Sequence, residues 1–308
     1  MQELLVISGK GGTGKTSIAA ALAALAEDKV LADCDVDAAD LHLLLRPEVE
    51  SVNEFYGSHK AVIDAEHCTK CGRCMEVCRF GAITEAAPVD GEENSVNGSG
   101  GAVFQVDSLS CEGCGVCTLT CPAGAVTMQP NLAGYWYISE TPYGPLVHAQ
   151  LGLAEDNSGK LVTKVRQEAR RLAEENKARL IITDGPPGIG CPVISSLTGV
   201  TLALVVTEPT VAGWHDLERV VKLAAHFKVP VVVCINKYDL VPEKSREIEA
   251  YCYEQGLTIA GKIPFDADVA RALVNAVPLT ACSCGVAANA VKAMWDNLLA
   301  RLEKIEKR

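Results

Sequence analysis

The sequence predicts an α/β protein with a mostly parallel sheet and a small inserted α+β domain. Three observations lead to this prediction. Apolar strand-like segments alternate with helical segments along most of the 308 residues, the pattern of a parallel sheet covered on both faces. A glycine-rich loop follows the first of these segments, and a cysteine-rich stretch separates the second from the later ones.

The amino-acid composition is that of a folded chain and argues against two classes of protein, nucleic-acid binders and membrane-spanning proteins. Hydrophobic residues make up 48% and charged residues 22%, so the chain can bury a sizeable core. The formal net charge of −11 argues against nucleic acid as a partner, because nucleic-acid binders normally have a basic excess. The most apolar run, residues 18–26, is much shorter than the roughly 20 residues of a membrane span. We therefore expect a cytoplasmic protein without a membrane partner.

The first strand-like segment, residues 3–8, runs into the loop GKGGTGKT at residues 9–16, and a helix is predicted over residues 15–26. The loop satisfies G-x4-G-K-[ST], whose backbone amides cradle phosphates at a helix N-terminus. We expect Lys15 to reach the β and γ phosphates and the Thr16 hydroxyl to ligate Mg²⁺. This context predicts a P-loop NTPase domain. Its nucleotide-binding residues are expected to be Gly9, Lys10, Gly11, Gly12, Thr13, Gly14, Lys15, Thr16 and Ser17.

A second lysine, Lys10, gives the loop the form K-G-G-x-G-K-T. This form resembles the deviant Walker motif of the MinD, ParA and dinitrogenase-reductase group of ATPases. The resemblance implies an ATP-dependent homodimer that encloses two ATP molecules, with Lys10 reaching the phosphates of the partner subunit. The alternative for Lys10 is a solvated loop lysine.

Several carboxylates follow the second predicted strand, in the segment CDVDAAD at residues 34–40. A carboxylate at this place holds the water shell of Mg²⁺ or positions the attacking water. By the resemblance, Asp35 corresponds to the first switch aspartate. Asp33 and Asp37 either share that role or only cap a helix predicted over residues 38–45.

Two cysteine-rich segments then repeat at an offset of 43 residues. Residues 68–84 and 111–127 each read C-x2-C-x2-C-x3-C, and eight of 17 aligned positions are identical. In two-cluster bacterial ferredoxins, three close cysteines hold one cluster and the fourth ligates the other. This pattern predicts one [4Fe-4S] cluster on Cys68, Cys71, Cys74 and Cys121, and a second on Cys111, Cys114, Cys117 and Cys78. Zinc sites and disulfides are the alternatives, but zinc motifs usually have a different spacing.

The repeat defines the domain organisation. We expect a ferredoxin-like domain at residues 61–129, inserted into an ATPase domain formed by residues 1–60 and 130–308. Between the two copies, residues 88–101 are rich in Gly, Ser and Asn and predict a solvated loop. The whole arrangement resembles the MinD-superfamily ATPases that carry an inserted two-cluster ferredoxin domain.

The later strands carry further candidate site residues. Residues 179–184 form an apolar segment that ends in Asp184, the Walker B pattern. The following GPPGIG looks like the second switch loop, with an ordinary strand-to-helix turn as the alternative. Predicted strands at residues 201–207 and 230–235 come next, and the second leads into N-K-Y-D. In the MinD group a similarly placed Asn contacts adenine. By this resemblance we expect Asn236 to contact the base, and we expect the nucleotide to be ATP, not GTP.

Features outside these motifs allow two interpretations each. Cys191 either contributes to a cluster bridging two subunits, by the resemblance to dinitrogenase reductase, or simply packs. Cys282 and Cys284 are either a metal or redox pair or two free thiols, and C-x-C alone favours the thiols. The last helix either docks on the sheet or anchors the chain to a membrane, and its mixed polar face favours docking.

Together these features favour an ATPase that couples its nucleotide state to electron transfer. Lys10, Lys15, Asp35 and Asp184 are the expected catalytic residues, and ATP, Mg²⁺ and two [4Fe-4S] clusters the expected cofactors. The partner would be an unidentified redox or cluster-accepting protein. Two alternatives stay open, an ATP-dependent carrier of iron–sulfur clusters or metal, as in Mrp-type relatives, and a MinD- or ParA-like regulatory switch. Eight ferredoxin-spaced ligands favour permanent, electron-carrying clusters.

Overall fold

The chain forms two compact units in the computed structural model. The first comprises Met1–Asn53, Tyr135–Leu151 and Ser158–Arg308, and the second comprises Glu54–Gly134 and Gly152–Asn157. The range predicted for the inserted domain, 61–129, falls inside the second unit, and the predicted solvated loop lies outside the described residues. The structure describes residues 1–86, 103–152, 155, 157–282 and 284–307.

Strands and helices alternate through most of the described chain. The strands are β1 (Gln2–Ser8), β2 (Lys29–Asp33), β3 (Glu48–Ile63), β4 (Ile83–Ala86), β5 (Val103–Val106), β6 (Val126–Glu140), β7 (Leu146–Leu151), β8 (Leu180–Pro187), β9 (Leu202–Thr207), β10 (Val231–Asn236) and β11 (Thr258–Ile263). The helices are α1 (Lys15–Leu25), α2 (Leu41–Leu45), α3 (Arg73–Val77), α4 (Val116–Thr120), α5 (Ser158–Glu175), α6 (Cys191–Leu197), α7 (Val211–His226), α8 (Pro242–Glu254), α9 (Ala267–Val274), α10 (Leu279–Cys282) and α11 (Val286–Glu306).

The large sheet has the strand order β11-β10-β9-β1-β8-β2-β7-β6-β3. The seven strands from β11 to β7 pair in parallel, so the predicted mostly parallel α/β sheet is confirmed. Its central strands are mostly apolar because helices cover both faces. In β1, for example, Leu4 and Val6 belong to one buried cluster, and Leu5 and Ile7 belong to another.

Two elements near the predicted switch residues differ from their expected bounds. Helix α2 begins at Leu41, not at residue 38, because the carboxylate of Asp33 accepts hydrogen bonds from the Asp35 and Leu41 amides and holds the chain between them in a turn. Strand β8 runs on to Pro187. It does so because Gly185 packs directly on β1, where a Cβ would lie 2.4 Å from Ile7 Cγ2.

The last helix, α11, packs its apolar face onto the sheet. Met294, Leu298 and Leu302 are almost fully buried in the core that also contains Ala260 of β11. Gly261 makes this close approach possible, because a Cβ there would lie 2.7 Å from Met294 Cβ. Among the described helices, none combines the length and the apolar character that a membrane crossing requires.

Candidate nucleotide and cluster sites

The glycine-rich loop lies between β1 and α1, at the carboxyl end of the central strand. Gly12 and Gly14 have left-handed backbones, with φ of 78° and 92°. A Cβ at Gly14 would lie 2.5 Å from Asn236 Nδ2, and one at Gly9 would lie 2.3 Å from Asp216 Cβ. The path of the loop therefore favours glycine at positions 12 and 14 for the backbone angles, and at positions 9 and 14 for the close neighbours.

Lys15 and Asp35 lie together beside the loop. The Nζ of Lys15 is 3.5 Å from Oδ2 of Asp35, and both side chains are largely buried. Burial raises the pKa of Asp35, and the charge of Lys15 partly offsets this effect. Two of the residues predicted to act at the phosphates and at the metal thus form one charged pair.

Asp184 is fully buried on β8, and neither of its carboxylate oxygens has a hydrogen-bond partner within 3.5 Å. Burial raises the pKa of Asp184 to about 7, although the charge of Lys15 and the nearby Thr16 hydroxyl lower it. Asp33 is its register partner on β2, and burial and the charge of Asp184 raise the pKa of Asp33 well above its usual range.

A buried carboxylate without partners needs a cation or donors to satisfy it. The residues present here therefore fit Mg²⁺, which oxygen ligands bind. Thr16 would hold the ion directly, and Asp184 would hold it through its hydration water.

Lys10 reaches the connection after β9. Its Nζ lies 2.6 Å from Glu208 Oε1 and 3.4 Å from Thr210 Oγ1. The other oxygen of Glu208 is 3.4 Å from Lys237 Nζ. Burial acts to raise the pKa of Glu208, but hydrogen bonding and charge from Lys10, and then from Lys237, hold it below the usual value. No sequence motif pointed to Glu208.

Asn236, the predicted base contact, is bound to the P-loop. Its Nδ2 donates to the carbonyl of Thr13 at 2.8 Å, and its Oδ1 accepts from the amide of Lys237 at 3.0 Å. Asp239 of the same N-K-Y-D segment accepts from the amide of Phe265 at 2.7 Å. Both side chains therefore fasten loops at the carboxyl edge of the sheet.

An apolar cleft, partly open to solvent, lies beside the loop. Aliphatic side chains from five elements and Asn236 line it, and apolar walls of this kind suit a nucleobase. These residues are scattered in the sequence, so no motif marked them. They include Ile18, Ile263, Val269, Leu273 and Leu279.

In the second unit, the two cysteine segments repeat the same backbone geometry. Helices α3 and α4 begin after Gly72 and Gly115, each left-handed with φ of 74°. The left-handed backbones at positions 70 and 81 recur at 113 and 124, again 43 residues later. The repeat in the sequence is thus a repeat in structure.

Two matching backbone hydrogen bonds link the copies. The Asp64 amide donates to the Ala125 carbonyl at 2.8 Å, and the Asp107 amide donates to the Ala82 carbonyl at 2.7 Å. The two donors are 43 residues apart in the sequence, and so are the two acceptors. The two copies are therefore related by an approximate two-fold symmetry. This symmetry places the end of each copy next to the beginning of the other.

The cysteines of the two copies are grouped in the same crossed way. A small cavity, partly open to solvent, is lined by Cys78 of the first copy and by Cys111, Cys114 and Cys117 of the second. This is the set predicted for the second cluster. Burial raises the pKa of Cys74, and the nearby thiols of Cys68 and Cys121 add to this effect. Within the described ranges, no three His, Cys, Asp or Glu side chains converge as ligands of a single metal ion.

Gly113→Ala is expected to destabilise the second unit far more than Gly115→Ala. Both glycines are left-handed, so each alanine costs about 1 kcal/mol through the backbone. At Gly113 the new Cβ would also lie 2.2 Å from the carbonyl oxygen of His59, whereas at Gly115 nothing lies within 4 Å. Thermal unfolding and iron content of the two variants, compared with the unmodified chain, measure the difference. Equal losses would contradict the close approach to His59.

The remaining cysteines fall into two groups. Cys34, Cys234 and Cys252 are buried, and burial raises the pKa of all three, to about 12 for Cys234 and about 11 for Cys252. These thiols are protonated at neutral pH and pack as apolar groups. The others, Cys191, Cys282 and Cys284, are exposed.

Comparisons with known proteins agree with this fold and loop. A family model described as the CobQ/CobB/MinD/ParA nucleotide binding domain matches residues 4–279. An uncharacterized protein of Methanocaldococcus jannaschii is 33% identical over 301 residues, which cover 97% of this chain and 96% of that protein. An iron-sulfur cluster carrier protein of Pyrococcus horikoshii is 26% identical over 162 residues, 48% of this chain and 54% of the carrier. The solved structure of the septum site-determining protein MinD of Pyrococcus horikoshii, complexed with Mg-ADP, is similar in fold, with a TM-score of 0.57, 16% identity and 97% of each chain covered.

Proposed function

Because this chain belongs to the CobQ/CobB/MinD/ParA family of nucleotide-binding domains, we propose that it is an Mg-ATP hydrolase that couples its nucleotide state to electron transfer through two [4Fe-4S] clusters. The observation that carries the proposal is the cysteine-lined cavity of the second unit. It draws Cys78 from one copy of the motif and three cysteines from the other. This crossed set is what two adjacent cubanes require, and it lies in the same chain as a complete P-loop.

At the nucleotide site, the protein would supply positive charge to the phosphates and would position the attacking water. Lys15 would leave its pairing with Asp35 to bind phosphate oxygens, and the loop amides would hold the same phosphates. Asp35 is then free to orient the attacking water. Bound Mg²⁺ would supply a Lewis acid that neutralises charge on the phosphates.

At the cluster sites, the thiolates of the eight cysteines would bind iron, and the clusters would supply one-electron carriers. Cys74 and Cys117 are buried among Ile83, Phe104 and Val126, and this apolar packing limits the access of water. Cys71 and Cys114 are exposed, which gives a partner protein a short path to each cluster. The chain would act as an ATP-dependent homodimer and exchange electrons with an unidentified redox partner.

A second candidate function is an ATP-dependent iron–sulfur cluster carrier. The similarity to carrier proteins of two Pyrococcus species supports it, although each similarity covers about half of this chain. A carrier must release its cluster to an acceptor, whereas an electron carrier keeps its clusters through many turnovers. A MinD-like switch, suggested by the structural likeness, would respond to ATP without either transfer.

Low-temperature EPR of the anaerobically purified, dithionite-reduced protein separates these functions. Electron transfer gated by ATP predicts two spin-coupled [4Fe-4S]⁺ signals, about eight irons per chain, and a spectrum that shifts with Mg-ATP. A Lys15→Ala variant should keep the iron and lose the shift. Transfer of iron to an apo-acceptor on addition of Mg-ATP would instead favour the carrier, and spectra indifferent to Mg-ATP would count against coupling.

A further inference from the structure

Glu208 lies between two lysines at the nucleotide site. Its two carboxylate oxygens are 2.6 Å from Lys10 Nζ and 3.4 Å from Lys237 Nζ. Only 16% of the Glu208 side chain is exposed, so water and salt screen the contact with Lys10 less than they screen a surface pair. One carboxylate bridging two lysines offers them the same charge-assisted hydrogen bonds as a phosphate group.

The connection that carries Glu208 is fixed in place. Thr210 caps α7 by accepting a 2.9 Å hydrogen bond from the Gly213 amide, and the same hydroxyl lies 3.4 Å from Lys10 Nζ. A Cβ at Gly213 would lie 2.3 Å from the Glu208 carbonyl oxygen, so the backbone turns tightly here. The strand-to-helix connection therefore presents the carboxylate to Lys10 from a defined position.

We propose that Glu208 is a positioning residue that holds Lys10 within its own subunit and competes for it with the polyphosphate of a nucleotide. This inference rests on the proposed nucleotide site and is independent of the clusters. Binding of a nucleoside triphosphate moves the Lys10 ammonium from the carboxylate to a phosphate oxygen, an exchange of hydrogen bonds in which no covalent bond changes. Until that exchange, Lys10 is withheld from phosphates, whichever subunit binds them.

The exchange also reaches α7. While Lys10 is bound to Glu208 and Thr210, it links the P-loop to the residues that lead into that helix. Once the ammonium has moved, the connection keeps its own cap but loses its link to the loop. The nucleotide state is thereby passed to a long helix whose second turn already lies against Gly9 through Asp216.

The test is a double-mutant cycle on binding of Mg-ATPγS, measured by calorimetry at one protein concentration. Glu208→Gln keeps the size of the side chain and removes its charge, so affinity is expected to rise about fivefold, the scale of one partly screened ion pair. In a Lys10→Ala background the same change should have no effect, because the competing partner is gone. Glu208→Ala should also raise the affinity. The result therefore does not depend on one variant, which could be affected by a folding defect.

The control is Glu218→Gln on the outer face of α7. Glu218 also pairs with a lysine, Lys222, at 2.8 Å, and it carries the same charge away from the loop. The affinity of the Glu218→Gln variant for Mg-ATPγS should stay within twofold of that of the unmodified chain. Binding that is unchanged in both Glu208 variants, or a gain that survives loss of Lys10, would overturn the role of Glu208 while leaving the nucleotide site intact. Absence of binding in the unmodified chain would overturn the nucleotide site itself, and this inference with it.

Discussion

Replacing Cys78 with Ala is expected to halve the iron content, from about eight to about four atoms per chain. The cavity lined by Cys78 also contains Cys111, Cys114 and Cys117, so the lost cluster should be the one held by the second copy of the motif. The remaining cluster, on Cys68, Cys71, Cys74 and Cys121, keeps its full ligand set. In EPR spectra of the reduced variant, the spin-coupled signal should collapse to that of an isolated [4Fe-4S]⁺ cluster.

Pairs of substitutions distinguish crossed ligation from ligation within each copy. In the crossed arrangement, Cys78→Ala with Cys111→Ala damages one cluster and leaves about four irons, whereas Cys78→Ala with Cys71→Ala damages both. Ligation within each copy predicts the reverse, because Cys71 and Cys78 would then share a cluster. Cys191→Ala is the control, since this cysteine is exposed and lies in the other unit, and it should keep all eight irons.

Asp184→Asn is expected to make the nucleotide-free protein more stable while abolishing its ATPase activity. Neither oxygen of the fully buried Asp184 has a hydrogen-bond partner, so its ionised form is costly until a cation neutralises it. A neutral amide avoids that cost but interacts weakly with hydrated Mg²⁺. Hydrolysis should therefore fall at least about 100-fold, the scale on which lost electrostatic stabilisation acts.

The gain in stability should depend on pH in a defined direction. The pKa of Asp184 is raised from 3.8 to about 7 in the folded protein. Between these values the folded state binds more protons than the unfolded state, so stability falls as pH rises from about 4 to about 7. The advantage of Asp184→Asn should grow between pH 5 and pH 8 by an amount on the order of 2 kcal/mol.

Thermal unfolding without nucleotide at the two pH values measures this effect. Asp28→Asn, at an exposed position, serves as the control and should follow the unmodified chain at both. A constant difference between Asp184→Asn and the unmodified chain across pH would show that the raised pKa is absent. Unchanged iron content in the variant would confirm that the substitution acts only at the nucleotide site.

The sheet and the phosphate loop were predictable because their signals are local. Apolar strands, and glycines next to Lys15, reflect short-range constraints on the backbone and on burial. The extension of β8 to Pro187 was not predicted, because it depends on the packing of Gly185 against Ile7, which is distant in sequence. Local patterns do not contain such contacts between neighbouring strands.

The contacts of the candidate site were harder to predict than its motifs. Lys10 was singled out by its place in the loop, but its partner Glu208 lies 198 residues later and belongs to no motif. The N-K-Y-D pattern led to Asn236, yet the bond of its amide to Thr13 follows from how the sheet aligns two loop ends. Polar pairs of this kind depend on tertiary geometry, which residue type and spacing do not specify.

The strand order also determines when a growing chain can assemble each part. Strand β1 pairs with β8 and β9, and β2 pairs with β7 and β8, so every partner of the first two strands lies at Leu146 or later. During synthesis at 5–20 residues per second, Asp184 emerges roughly 10–30 s after the phosphate loop. All eight motif cysteines leave the ribosome in that interval. If the chain functions as proposed, its topology lets the nascent chain bind iron before the strands that surround the phosphate loop have been synthesised.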